Sequence, residues 1–106
     1  MQNVFNVSIS PNEVVKIVNE KFNAKIAGAE IYKLENNKFL YISIYEKFLT
    51  RTNGDNAVIL MCDNSSNVTC VKIIAVATGG GMFSVDFGAA KNLISSVREI
   101  LSDYII

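Results

Sequence analysis

The side chains best equipped for chemistry fall in one run, Tyr45-Glu46-Lys47, with Tyr41 shortly before it and Arg51 shortly after. A carboxylate that shares a site with a cation can bind a small polar molecule or pass it a proton, its pKa raised by burial or lowered by the cation. Glu46 is the candidate for that role, because it falls on the side of its segment that otherwise carries Ile42 and Ile44. The simpler alternative is that the apolar core ends before Glu46 and leaves it in water.

A second candidate is Gly79-Gly80-Gly81 ahead of a helix start, since exposed amides and a helix N-terminus attract anions. The run lacks the Lys-Ser/Thr ending of a phosphate loop and the spacing of a dinucleotide fingerprint, so a turn between strands is the plainer reading. The binding candidates are therefore Tyr41, Tyr45, Glu46, Arg51, Gly79, Gly80 and Gly81. No catalytic group and no metal ligand is assigned.

Cys62 and Cys70 are too few for a disulfide scaffold and too widely spaced for a paired CxxC metal site. They would face each other across a hairpin only if its loop were Ser65 to Asn67. No cluster of cations stands near to lower a thiol pKa, and both read as inert core cysteines. The chain has no histidine, which removes the commonest metal ligand and the usual general base near neutral pH. No cofactor is expected, and the reading leans away from an enzyme.

The elements that would position these residues must come from a chain of 106 residues, which suits a single domain spanning 1–106. Ten basic and ten acidic residues cancel, so no long-range field gathers nucleic acid or anionic lipid. A mean hydropathy of +0.28 with no net repulsion makes self-association worth considering. Met1-Gln2-Asn3 leads directly into an alternating segment, and the longest apolar-rich stretch, Val71 to Thr78, falls short of the roughly 20 residues a spanning helix needs. The expectation is a cytosolic protein without membrane partners. Asn-x-Ser/Thr triplets begin at Asn6, Asn64 and Asn67, and without a secretory route they read as coincidence.

Val4 to Ile9 alternates enough for a short edge strand that stops at Ser10-Pro11. Ser10 suits an N-cap, Pro11 the first helical position and Glu13 the positive end of the dipole. Val14, Val15, Ile17, Val18 and Phe22 then recur at helical spacing, with Gly28 as the expected break. From Glu30 the period becomes two. Strands are expected over Glu30 to Leu34, Lys38 to Thr52, Ala57 to Asp63 and Val68 to Thr78, joined at Asn36-Asn37, Asn53-Gly54 and Asn64 to Asn67. Met82 to Phe87 adds one more short strand. Ala90, Leu93, Ile94, Val97, Ile100, Leu101 and Tyr104 form the apolar stripe of a C-terminal helix, with Asp86 or Gly88 at its start. The expected fold is α+β, an antiparallel sheet of about five to six strands in the order β-α-β-β-β-β-β-α.

The strands are apolar on both sides, whereas two helices of these lengths suffice for one face. Phe39, Tyr41, Tyr45, Ile74 and Val76 are assigned to the uncovered face. Three covers would satisfy it: a second copy of the chain, a bent sheet that holds a small-ligand cavity, or the N-terminal helix placed opposite the C-terminal one.

Tyr45-Glu46-Lys47-Phe48, the following Arg51, the triple glycine and Phe87-Gly88-Ala89 together resemble a family of short bacterial proteins of unknown function. Its members run Tyr-Glu-Lys-Tyr, Arg, two strands, a triple glycine and an aromatic-Gly-Ala step. The likeness covers about Leu40 to Leu101. This chain departs from the pattern at Leu49, in having no further glycine after Met82, and in its non-acidic Ala90-Lys91. The resemblance implies a bacterial, cytosolic, single-domain protein and brings no activity with it. The preferred expectation is a non-enzymatic binding or self-association module. The alternative is a small-ligand carrier or enzyme with a pocket near Tyr45, Glu46 and Arg51.

Overall fold

The computed structural model describes residues 2–50, 52–77 and 86–106. Its elements run β1 (Gln2–Val7), α1 (Pro11–Lys21), β2 (Lys25–Lys33), β3 (Phe39–Leu49), β4 (Gly54–Asp63), β5 (Thr69–Val76) and α2 (Phe87–Ile100). The five strands form one antiparallel sheet in the order β1-β5-β4-β3-β2. The α+β arrangement expected from the sequence is the one observed. β2 to β5 make a meander, and α1 carries the chain from one edge of the sheet to the other.

Local chemistry accounts for most boundaries. The Ser10 hydroxyl accepts the Glu13 amide at 3.2 Å and Pro11 opens α1. The helix ends at Lys21, well before the expected break at Gly28. Phe22 takes extended backbone there (φ −82, ψ 116) and turns its ring into the core. Gly28 lies within β2, beside a register irregularity against β3 between Ile26 and Gly28, so that strand starts earlier than Glu30. Asn36 (φ 59), Asn37 (φ 60), Asn53 (φ 51) and Asn67 (φ 67) hold left-handed positions in the hairpin connections. Asparagine tolerates that region better than other side chains do, which gives the asparagine-rich turns a structural reason. The Asp86 carboxylate accepts the Ala89 amide at 2.9 Å and starts α2. The short strand expected at Met82 to Phe87 lies largely outside the described residues, and Phe87 itself opens α2.

Both helices pack on the same face of the sheet, α1 over β3 and β4 and α2 over β5, and they touch each other. Beneath them lie Phe5 and Val7 of β1, Val71, Ile73 and Ala75 of β5, and Val58, Leu60 and Cys62 of β4. Val14 and Val18 of α1 with Leu93, Val97 and Leu101 close the core from above. Small residues at Ala75, Ala77, Ala89 and Ala90, all buried, allow α2 to approach the sheet closely. The C-terminal segment pairs with the outer edge of β1 at its end, near Val7. Ser8 N–H donates to the Tyr104 carbonyl at 2.8 Å, and Ile106 N–H donates to that of Asn6 at 3.0 Å. The Arg98 guanidinium binds the Asn3 side chain and lies 4.7 Å from the centre of the Phe5 ring.

The opposite face, bearing Leu40, Ile42, Ile44, Ile59, Met61, Ile74 and Val76, has no helix on it among the described residues. The face assignment made from sequence was partly wrong. Tyr45 pairs with Val58, and Ile74 pairs with Ile59, the next residue along β4, so Tyr45 and Ile74 must point to opposite sides. Phe39, Tyr41 and Tyr45 belong to the helix side, whereas Ile74 and Val76 belong to the open side.

Leu60 is fully buried beneath the helices. Leu60→Ala should therefore lower the unfolding free energy by about 2 to 5 kcal/mol in urea titrations. Ser10→Ala should lower it by about 1 kcal/mol, the usual cost of a lost N-cap.

Candidate functional site

Tyr45 stands in the middle of β3, directly under α1. Its hydroxyl donates to the Asn19 side-chain carbonyl, and its ring meets Phe22 edge-on with centroids 5.5 Å apart at 81°. Burial pushes the phenol above its ordinary pKa of 10.0. Lys47, on the same face, sets its ammonium 5.0 Å from the centre of the Phe22 ring and donates to the Asn23 carbonyl at 2.7 Å. These contacts fasten the end of α1 to the sheet. Tyr41 is half-buried on the same side, its ring 6.3 Å from that of Phe39.

Glu46 is the next residue along the strand and points the other way, onto the open face. It is exposed and registers with Ala57 on one side and Lys25 on the other. A shallow depression of about 450 Å³ gathers Glu46 with Lys25, Lys47, Phe48 and Asp55, and Tyr45 is not part of its lining. The structure thus does not bring Tyr45 and Glu46 into one pocket. Arg51, Gly79, Gly80 and Gly81 lie outside the described residues. The two sides of the 78–85 segment are tied by the Asp86 amide, which donates to the Ala77 carbonyl at 2.9 Å.

The cysteines part in the same manner. The Cys62 sulfur lies 3.5 Å from the Pro11 carbonyl inside the core, and burial, helped by the charge of Asp63, pushes its thiol up to about 12. Cys70 registers with Asp63 rather than with Cys62 and lies half-buried on the open face. Two side chains on opposite sides of a sheet cannot bridge. Both thiols are free, and only Cys62 is a core cysteine.

Among the described residues no group of three or more His, Cys, Asp or Glu side chains could hold a metal ion. No buried side-chain polar atom among them lacks a hydrogen-bond partner. No described helix is long and apolar enough to cross a membrane.

The feature with functional content is the open face itself. Strand registers arrange it in rows: Ile74, Ile59, Ile44 and Gly28 in one, and Val4, Lys72, Met61, Ile42 and Glu30 in the next. Val76 and Phe48 lie toward one end, and Cys70, Asp63, Leu40 and Tyr32 form the row at the other. Val4, Phe48 and Val76 are each more than half exposed (53%, 60% and 52%). The sequence carried the signal, apolar residues at both parities of β3, β4 and β5, but not which parity the helices would take.

One antiparallel sheet roofed by two helices on a single side defines a two-layer α+β protein. The chain belongs to DUF6054, a family of unknown function, whose model matches residues 4–105. The resemblance seen in the sequence is in keeping with a family of that kind. No curated protein and no solved structure matches the chain.

Cys62 gives a pH test. Its thiol stays neutral in the fold up to about pH 12 but ionises near 9.0 once the chain unfolds. Its contribution to stability is therefore whole below pH 9 and lost as the pH rises from 9 to 12. Denaturant titrations across that range should show a decline that is less steep in Cys62→Ala than in the wild type.

Proposed function

We propose that the protein is a non-enzymatic interaction module that self-associates through the open face of its sheet. One observation carries this reading: the contiguous apolar surface centred on Ile44, Ile59 and Ile74, with Ile42, Met61 and Val76 around it. Five strands spaced by about 4.8 Å, and about eight residues at about 3.3 Å each, give a face of about 600 Å² in projection. That area, charged margins included, approaches the roughly 800 Å² each partner contributes to a standard interface and stands at the upper end of the roughly 300–600 Å² spanned by the largest patch of a typical monomer. Equal numbers of acidic and basic residues leave no net charge to hold two copies apart.

The alternative of a small-molecule pocket near Tyr45, Glu46 and Arg51 has weaker support, because Tyr45 and Glu46 face opposite sides of the sheet. On the self-association reading Glu46 is a rim residue and Tyr45 a fastening of α1. A cytosolic setting completes the reading, since two free thiols persist in a reducing compartment.

Analytical ultracentrifugation between about 1 and 200 μM should show a dimer over most of that range, within the affinities that interfaces of this size reach. Ile44→Glu, which places a charge in the middle row, should give a monomer with an unchanged far-UV circular dichroism spectrum. A wild-type chain that stays monomeric throughout the range would overturn the proposal.

A further inference from the structure

We infer that the second copy packs face to face with its strands aligned, about a two-fold axis that runs between β3 and β4, so that Lys72 meets the partner subunit's Glu30. The inference rests on the self-association reading and adds its geometry. The open face can be treated as a grid whose columns are β1, β5, β4, β3 and β2. Lys72 of β5 and Glu30 of β2 occupy the same row, with Met61 and Ile42 between them. Three strand spacings, about 14 Å, separate the pair within one chain, too far for an ion pair. Among the described residues neither side chain has an ion-pair or hydrogen-bond partner of its own.

A two-fold axis along the strands, between β3 and β4, keeps every row and reverses the columns. It lays β5 over the partner's β2 and β4 over the partner's β3. Lys72 then lies over the partner's Glu30, and by symmetry the contact is made twice. Aligned sheets pack about 10 Å apart and cross at about 30°, which displaces the two groups by only about 4 Å in plane, within reach of a lysine and a glutamate. An axis across the strands fails the same test. Centred on this row it sets Lys72 against the partner's Lys72, and centred half a step away it sets Lys72 against the partner's Ile74.

Side-chain size supports the same register independently. Gly28 lies on the open face opposite Ile44, and its φ is not in the left-handed region. A Cβ added there would meet nothing within 4 Å. Apart from the register irregularity beside it, where strand glycines are common, nothing within the chain crowds this position, and a side chain would favour the strand. In the proposed packing Gly28 receives the partner's Ile74. Toward the two ends of the face Ala57 receives the partner's Glu46, at the rim, and Cys70 receives the partner's Tyr32. Each small residue is matched by a large one.

The test is a charge exchange read by sedimentation equilibrium. Lys72→Glu and Glu30→Lys should each weaken the dimer at least about tenfold, because each substitution sets like charges together at two symmetric places. The double variant K72E/E30K should return to within about threefold of the wild type, as coupled pairs do. Gly28→Val should keep or raise the unfolding temperature of the chain at high dilution while weakening the dimer at least about tenfold. A wild-type dimer that Ile44→Glu breaks, but that the double exchange does not rescue or Gly28→Val leaves intact, would overturn this arrangement and leave self-association standing. A monomeric wild type would overturn both.

Discussion

The structure depends on a single constraint: there is one helical layer for two apolar sheet faces. Every strand residue is either under α1 and α2 or not, and alternation leaves no intermediate choice. The contacts among Phe22, Tyr45 and Asn19 select the parity, because they seat the end of α1 on one side of β3. A slip of one residue in β3 would exchange Tyr45 for Ile44 beneath the helix and invert the whole strand. Placing the Tyr45 hydroxyl against Asn19 at the edge of the helix lets a large ring enter the core without stranding its polar end.

The same parity divides the chemistry. Tyr45 and Cys62 go with the core, where burial raises both pKa values and keeps both groups neutral. Glu46 and Cys70 go to the open face. Pairs adjacent in sequence or on neighbouring strands are thereby separated by the thickness of the sheet, and neither a carboxylate–phenol site nor a thiol pair forms. The surface that results is an apolar field with Glu46, Lys25, Asp55 and Asp63 toward its ends and Lys72 and Glu30 at the two sides of one middle row.

Much of this was legible in the residues. The Ser10-Pro11 start, the stripe of α2 and the three asparagine-bearing connections each rest on a local rule, and each lies where it was expected. Alternation alone predicts a shorter β2, because Lys25 to Ala29 shows none. Gly28 suggests a helix stop there, whereas the extended backbone of Phe22 ends the helix earlier. The choice of face was only weakly legible. In β5 Val71, Ile73 and Ala75 are apolar, and so are Cys70, Ile74 and Val76 on the other parity, where Lys72 is the one charge that marks the open side. The docking of helices distant in sequence completes the choice. The same limit explains why Tyr45 and Glu46 read as one site: adjacency along a strand is opposition across it.

The position of β1 sets the order in which the sheet can form. β2 to β5 are joined by short hairpins, whereas Phe5 of β1 finds Val71 of β5 only across almost the whole meander. Contacts of such high contact order form late, after the loop-closure entropy has been met by the local hairpins. Until then β5 is itself an edge, with Val71, Ile73 and Ala75 on a strand whose outer amides and carbonyls have no neighbour. The most apolar strand of the sheet is therefore the one that waits longest for its second partner. The interval before β1 arrives is when this chain is most exposed to pairing with the wrong strand.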